Sequence, residues 1–275
     1  MKFILVFLLF FVSSNLVASP FPIGEGRGYA ALVYGHSNYD QFFTDGNVMS
    51  LNVQGGITNE AFSVQFGQGI SHRDSIIFSM IYSNIGAARS WNARKQKGLS
   101  DTYIGWKRNT KLARISKAYE FGVQIPSSYS EELLTAPGLG AHELHLAWHW
   151  AKAYSPNNLF SAKIMAKLKA GDVPHSAGIN LTFQKQLEKS LTGQVFFSIE
   201  DSFGTVDILD SMDFWLRTNQ TAFHLKDEYN QFVGIGFSKS ITKDRQLFWS
   251  VAHKLTGKNT DASRMSYSLG VSFAF

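Results

Sequence analysis

The chain has 275 residues, 17% of them charged and 14% aromatic, with no cysteine and a formal net charge of +5. The lack of cysteine excludes disulfides, thiolate chemistry and cysteine-ligated metals. The basic residues are scattered along the sequence rather than clustered, which argues against a nucleic-acid partner, and none is expected.

Residues 1–18 read as a signal peptide: Lys2, the apolar run Phe3 to Val12, and a small-residue cleavage site ending near Ala18 or Ser19. The expected division is 1–18 signal peptide and 19–275 transmembrane β-barrel domain. Loss of Lys2 lowers the formal charge to +4. The apolar run is too short for a spanning helix, and no other stretch approaches the roughly eighteen residues needed. Any membrane crossing is therefore by strands.

Along the mature chain a period of two recurs and a helical period is nowhere sustained. Both 28–37 and 47–56 alternate; the first is taken as a spanning strand and the second as an extracellular extension or hairpin of the first loop. Strands are then expected near 60–70, 75–83, 100–108, 118–126, 141–151, 159–168, 177–186, 191–200, 229–238 and 246–254. Their faces separate: Leu144, Leu146, Trp148 and Trp150 oppose Glu143, His145, Ala147 and His149. The final segment, Ser263 to Phe275, carries Met265, Tyr267, Leu269, Val271, Phe273 and Phe275 on one face and small or polar residues, with Arg264, on the other. That length, roughly 9 to 11 residues or more, crosses a bilayer as a strand.

About 256 mature residues, at roughly 20 per strand and half-connection, suit an all-β, closed antiparallel transmembrane barrel of about 12 strands. Compact connections near 71–74, 109–117, 152–158, 187–190 and 239–245 alternate with mostly longer ones near 84–99, 127–140, 169–176, 201–228 and 255–262. Short periplasmic turns and longer extracellular loops orient the barrel. In that orientation Trp106, Trp148, Trp150 and Trp249 lie towards the periplasmic ends of their strands, as a membrane-interface girdle. The mean hydropathy of −0.09 fits a sheet in which every second residue faces water.

Lumen-lining candidates are Glu120, Glu143, His145, His149, Lys163, Lys167, Glu200 and Arg264. Paired charges are expected among them because unpaired buried charges are costly, and such a pore is narrow and weakly selective. Glu143, His145 and His149 share a face, but about 3.3 Å per residue puts the two histidines roughly 13 Å apart, too far for one ion; no metal or cofactor is expected. The Tyr34 to Asn38 stretch, YGHSN, places His36 and Ser37 on opposite faces, so the His-x-Ser spacing of a lipid hydrolase is absent and no enzyme is expected. The long connection 201–228 carries Phe214 and Trp215 among several aspartates. It is either a loop gate folded into the lumen or a surface cap.

Several stretches resemble one known family. YDQFFTDG (Tyr39 to Gly46) with FGQGISHRDS (Phe66 to Ser75), GLSDTYIGWK (Gly98 to Lys107), and GVQIP (Gly122 to Pro126) followed by GLG (Gly138 to Gly140) are similar to motifs of the outer-membrane barrels described as meta-pathway phenol degradation proteins. His72 and Arg73 depart from the usual Thr and Asp, and Ser127 from the usual Gly. The resemblance implies a barrel of about 12 strands and passage of small hydrophobic or aromatic compounds; it implies no catalytic residue. The terminal Phe275 resembles the aromatic insertion signal of Gram-negative outer-membrane barrels. The expected partners are outer-membrane lipid, the barrel-insertion machinery and a small-molecule solute. The expected location is the Gram-negative outer membrane. The functional expectation is a channel for passive uptake, ahead of a non-conducting structural or surface-interaction barrel and an outer-membrane lipid hydrolase.

Overall fold

In the computed structural model the two-residue alternation becomes a ring of long antiparallel strands. The structure describes residues 21, 23–43, 48–50, 56–87, 96–112, 115–127, 141–171, 173–203, 228–258, 260–261 and 265–275. The strands are β1 (Gly28–Tyr39), β2 (Gln41–Phe43), β3 (Val48–Ser50), β4 (Ile57–Gly69), β5 (Asp74–Ala87), β6 (Gln96–Leu99), β7 (Thr102–Leu112) and β8 (Ile115–Ile125). They continue with β9 (Glu143–Ser155), β10 (Asn158–Lys169), β11 (His175–Glu188), β12 (Leu191–Phe203), β13 (Tyr229–Ser240), β14 (Arg245–Lys258), β15 (Thr260–Asp261) and β16 (Ser266–Ala274).

Twelve of these close a barrel. Each pairs antiparallel with its neighbours in the order β4-β1-β16-β14-β13-β12-β11-β10-β9-β8-β7-β5, and β4 pairs back with β5. Closure leaves no sheet edge, which a β-structure needs in lipid because unpaired backbone groups have no water to bond. The seam between β1 and β16 runs from Tyr29 opposite Ala274 to Ser37 opposite Ser266, and Gly28 and Phe275 exchange both backbone hydrogen bonds, 2.8 and 3.0 Å. Residues 47–56 behave as the extension expected of them where they are described: β3 pairs with β2, and β2 with β15, in a separate three-stranded sheet.

One end of the barrel has tight turns. Between β4 and β5 the Ser71 hydroxyl accepts from the amides of Arg73 and Asp74 at 3.1 and 2.9 Å, a turn stabilised by its own side chain. The other end carries the longer connections; the shortest of them, 170–174, still exceeds every turn at the first end, and its Gly171 has φ 76°, where an L side chain is strained. The strands also run longer than the alternation indicated; β5 extends to Ala87 and β14 to Lys258.

The exterior is apolar. Leu32, Phe62, Ile104, Phe121, Leu146, Ile164, Ile179, Val195, Ile235 and Leu269 are all exposed, far more apolar surface than a water-facing monomer presents. Polar side chains turn inward instead, including Gln65, Lys107, His149, Lys167 and Glu200. This inverted distribution is the outer-membrane barrel pattern.

Candidate functional site

Inward positions follow from parity, and they divide the lumen into two walls. Strands β7 to β12 contribute the charged wall. Glu120 on β8 is its hub: Tyr103 donates its hydroxyl at 2.7 Å, His149 Nε2 lies at 2.9 Å, and Lys163 Nζ at 3.6 Å. Lys107, 2% exposed, lies in the field of Glu120 and Lys163. Nearer the long-loop end, Lys167 donates to both oxygens of Glu200 at 3.1 and 3.2 Å, and Ser176 donates to Oε1 at 2.6 Å. Glu143 and His145 pair at 3.0 Å, with Lys169 close enough to feel Glu143 and Glu200. At the rim Gln124 donates to Asp101 at 3.0 Å.

Strands β12, β13, β14, β16, β1, β4 and β5 contribute the opposite wall, which is largely apolar or small. Phe196, Phe232, Phe248, Val33, Ile77, Ile81 and Ala61 are buried there, interspersed with Ser63, Ser250 and Ser268, the last two sharing a 2.8 Å hydrogen bond. On this wall the Lys254 ammonium lies 4.9 Å from the Phe232 ring centroid.

Inward aromatics lie down against glycines. A Cβ on Gly234 would come within 2.2 Å of the Phe196 ring, one on Gly270 within 2.2 Å of Phe248, one on Gly67 within 2.3 Å of Tyr29, and one on Gly122 within 2.4 Å of the Tyr103 hydroxyl. Rings that occupy the glycine's missing side chain run along the wall rather than across the lumen, the arrangement known as aromatic rescue. At the tight-turn end the backbone of Ile23 and Gly24 passes inside the mouth, with the Gly24 carbonyl 2.2 Å from where a Gly69 Cβ would stand. Gly26 donates to the Gly69 carbonyl and Gly69 to that of Arg27, at 3.1 and 2.9 Å.

Of the expected lumen residues, Glu120, Glu143, His145, His149, Lys167 and Glu200 are buried inside, and Lys163 reaches Glu120 from the same interior. Arg264, Phe214 and Trp215 lie outside the described residues. The two histidines serve separate carboxylates, and no group of three metal-ligating side chains occurs among the described residues. His36 takes the outward parity of β1 and Ser37 the inward one, at 2% exposure. Trp106, Trp148, Trp150 and Trp249 all take the outward parity; Trp150 meets Phe160 edge-on at 5.8 Å and Trp249 stacks with Phe237 at 5.6 Å. The Phe275 ring stacks with Phe66 at 5.9 Å. Tyr103, Lys107, Lys169 and Asp101 were missed, although Lys107 follows from parity with the outward Trp106 beside it.

No family profile matches the chain, and no curated protein matches it in sequence. Among solved structures it is similar to the COG4313 outer membrane channel from Pseudomonas putida F1, with a TM-score of 0.77 at 12% identity, covering 94% of this chain and 98% of that one. It is also similar to NanC porin, with a TM-score of 0.56 at 10% identity over 89% and 98% of the two chains. KdgM porin in complex with disordered oligogalacturonate gives 0.53 at 10% identity over 89% and 99%. At these identities the likeness shows the fold, a closed antiparallel outer-membrane barrel.

Proposed function

We propose that the chain is an outer-membrane channel for passive uptake of small solutes, with hydrophobic or aromatic compounds as the favoured class. The observation that carries this reading is the two-walled lumen, with hydrogen-bonded ion pairs facing rings and branched aliphatics. A small solute with an apolar face and a polar substituent meets complementary surface on both sides. The resemblance of Phe66 to Ser75 and Gly98 to Lys107 to the meta-pathway phenol degradation barrels supports the aromatic end of that range. In this reading residues 1–18 direct export, the four outward tryptophans anchor the barrel in outer-membrane lipid, and Phe275 engages the insertion machinery.

Planar-bilayer recording of the purified barrel tests the proposal. Small discrete openings are expected, with weak charge selectivity and a current that falls when millimolar phenol, but not glucose, is added. A second reading, a non-conducting barrel whose loops bind a partner, is favoured by the packing of the interior, where Lys107 is 2% and His149 0% exposed. Silence in the bilayer from a correctly folded barrel would install that reading in place of the channel.

A further inference from the structure

The lipid-facing wall changes character towards the tight-turn end. Arg108 on β7, Lys117 on β8, Lys152 on β9, Lys185 on β11, Lys239 on β13 and Arg245 on β14 all take the outward parity of their strands. They sit beside outward aromatics. The Arg108 guanidinium is 5.6 Å from the Trp106 ring centroid, and the Lys152 ammonium 5.0 Å from that of Tyr154; Lys117 is opposite Trp150, and Arg245 opposite Phe273. The flanks and turns at this end add Arg27, Arg73, Lys189 and Lys243. Against these ten cations stand four acids among the described residues, Glu25, Asp74, Glu188 and Asp244. The resulting +6 exceeds the +5 of the entire chain. Charges scattered in sequence are gathered at one rim because every strand of the antiparallel ring has one end there.

Arg108 is engaged by Asp74 at 3.0 Å. Among the described residues no acid forms an ion pair with the other five. We infer that this outward basic ring is a binding surface for anionic phospholipid headgroups. The inference rests on the membrane-barrel reading above. The ring lies on the wall just beyond an aromatic layer, the level at which headgroups meet a barrel. Long basic side chains there keep their stems on apolar wall and their charges in the interface, and each adds attraction to an anionic surface. An acidic periplasmic protein would approach the turns along the barrel axis, whereas these six positions face sideways.

The test reconstitutes the mature barrel in phosphatidylcholine vesicles containing either brominated phosphatidylglycerol or brominated phosphatidylcholine, and reads quenching of the outward tryptophans. Phosphatidylglycerol is expected to bind about five-fold or more tightly than phosphatidylcholine, with the preference falling in 0.5 M salt, where the Debye length is only about 4 Å. The variant K117Q/K152Q/K185Q/K239Q/R245Q, which alters no lumen residue, should lose the preference while keeping its heat-dependent gel mobility. Equal binding of the two lipids by the unaltered barrel overturns the inference and leaves the barrel standing. Quenching by neither lipid overturns the membrane reading itself. If the lipids bind equally and poly-glutamate binds the barrel in neutral detergent, the ring serves an acidic polypeptide and the lipid inference falls.

Discussion

Glu120 is the hub of the charged wall, because Tyr103, His149 and Lys163 all converge on its two oxygens. Removing one partner of a buried ion pair leaves an uncompensated charge, typically at a cost of about 3 to 5 kcal/mol. Glu120→Gln should therefore lower the urea midpoint of the refolded barrel and shift its reversal potential towards anions, since Lys107 and Lys163 lose their carboxylate. Pairing it with Lys163→Met should recover part of the stability, a coupling that a double-mutant cycle measures directly. An additive pair of losses would mean that the 3.6 Å contact carries no energy. Parity alone placed Glu120, Glu143 and Glu200 inside, since a period of two assigns faces whatever the register. It did not reveal who pairs with whom. Lys167 and Glu200 are 33 residues apart on β10 and β12, and their meeting depends on the stagger of the strands around the barrel, which no local pattern encodes.

At the scale of single strands, the seating of rings over glycines ties the width of the lumen to residues without side chains. Phe196 and Gly234 are directly paired between β12 and β13, and a Cβ at Gly234 has no room while the ring lies flat. Gly234→Ala should cost about 1 to 3 kcal/mol by overpacking and lift the ring into the lumen, reducing single-channel conductance. Phe196→Ala in the same chain should restore conductance. If Gly234→Ala alone leaves conductance unchanged, the ring has moved along the wall rather than across it. A related contact is more exposed to solvent: Ile23 and Gly24 occupy the space beside Gly69 inside the tight-turn mouth. Gly69→Val should expel that segment, and faster tryptic cleavage at Arg27 in the folded barrel would report it. These glycines were visible in the sequence only as interruptions of alternation, since what fills each missing side chain comes from a neighbouring strand.

For the whole barrel the decisive contact is the seam. The hydrogen-bonded ladder between β1 and β16 closes the ring, and Phe275 adds two backbone bonds to Gly28 and a ring stack on Phe66 of β4, so its side chain spans the seam. That stack is worth only about 0.5 to 1.5 kcal/mol, little beside a twelve-strand ladder. Phe275→Ala, which keeps the backbone bonds, should therefore lower the temperature of the heat-dependent mobility shift only slightly when the barrel is refolded in detergent. In cells the same substitution is expected to cut the amount of shifted barrel in the outer membrane several-fold, because the proposed recognition of the terminal aromatic precedes any stack. The two measurements separate closure from delivery: a parallel loss in detergent and in cells would make Phe275 a seam residue and remove its role as a signal. A full yield in both would remove both roles. The comparison is informative because the energy available to the stack is too small to account for a large loss of assembly, so a deficit confined to the cell must arise before the barrel closes.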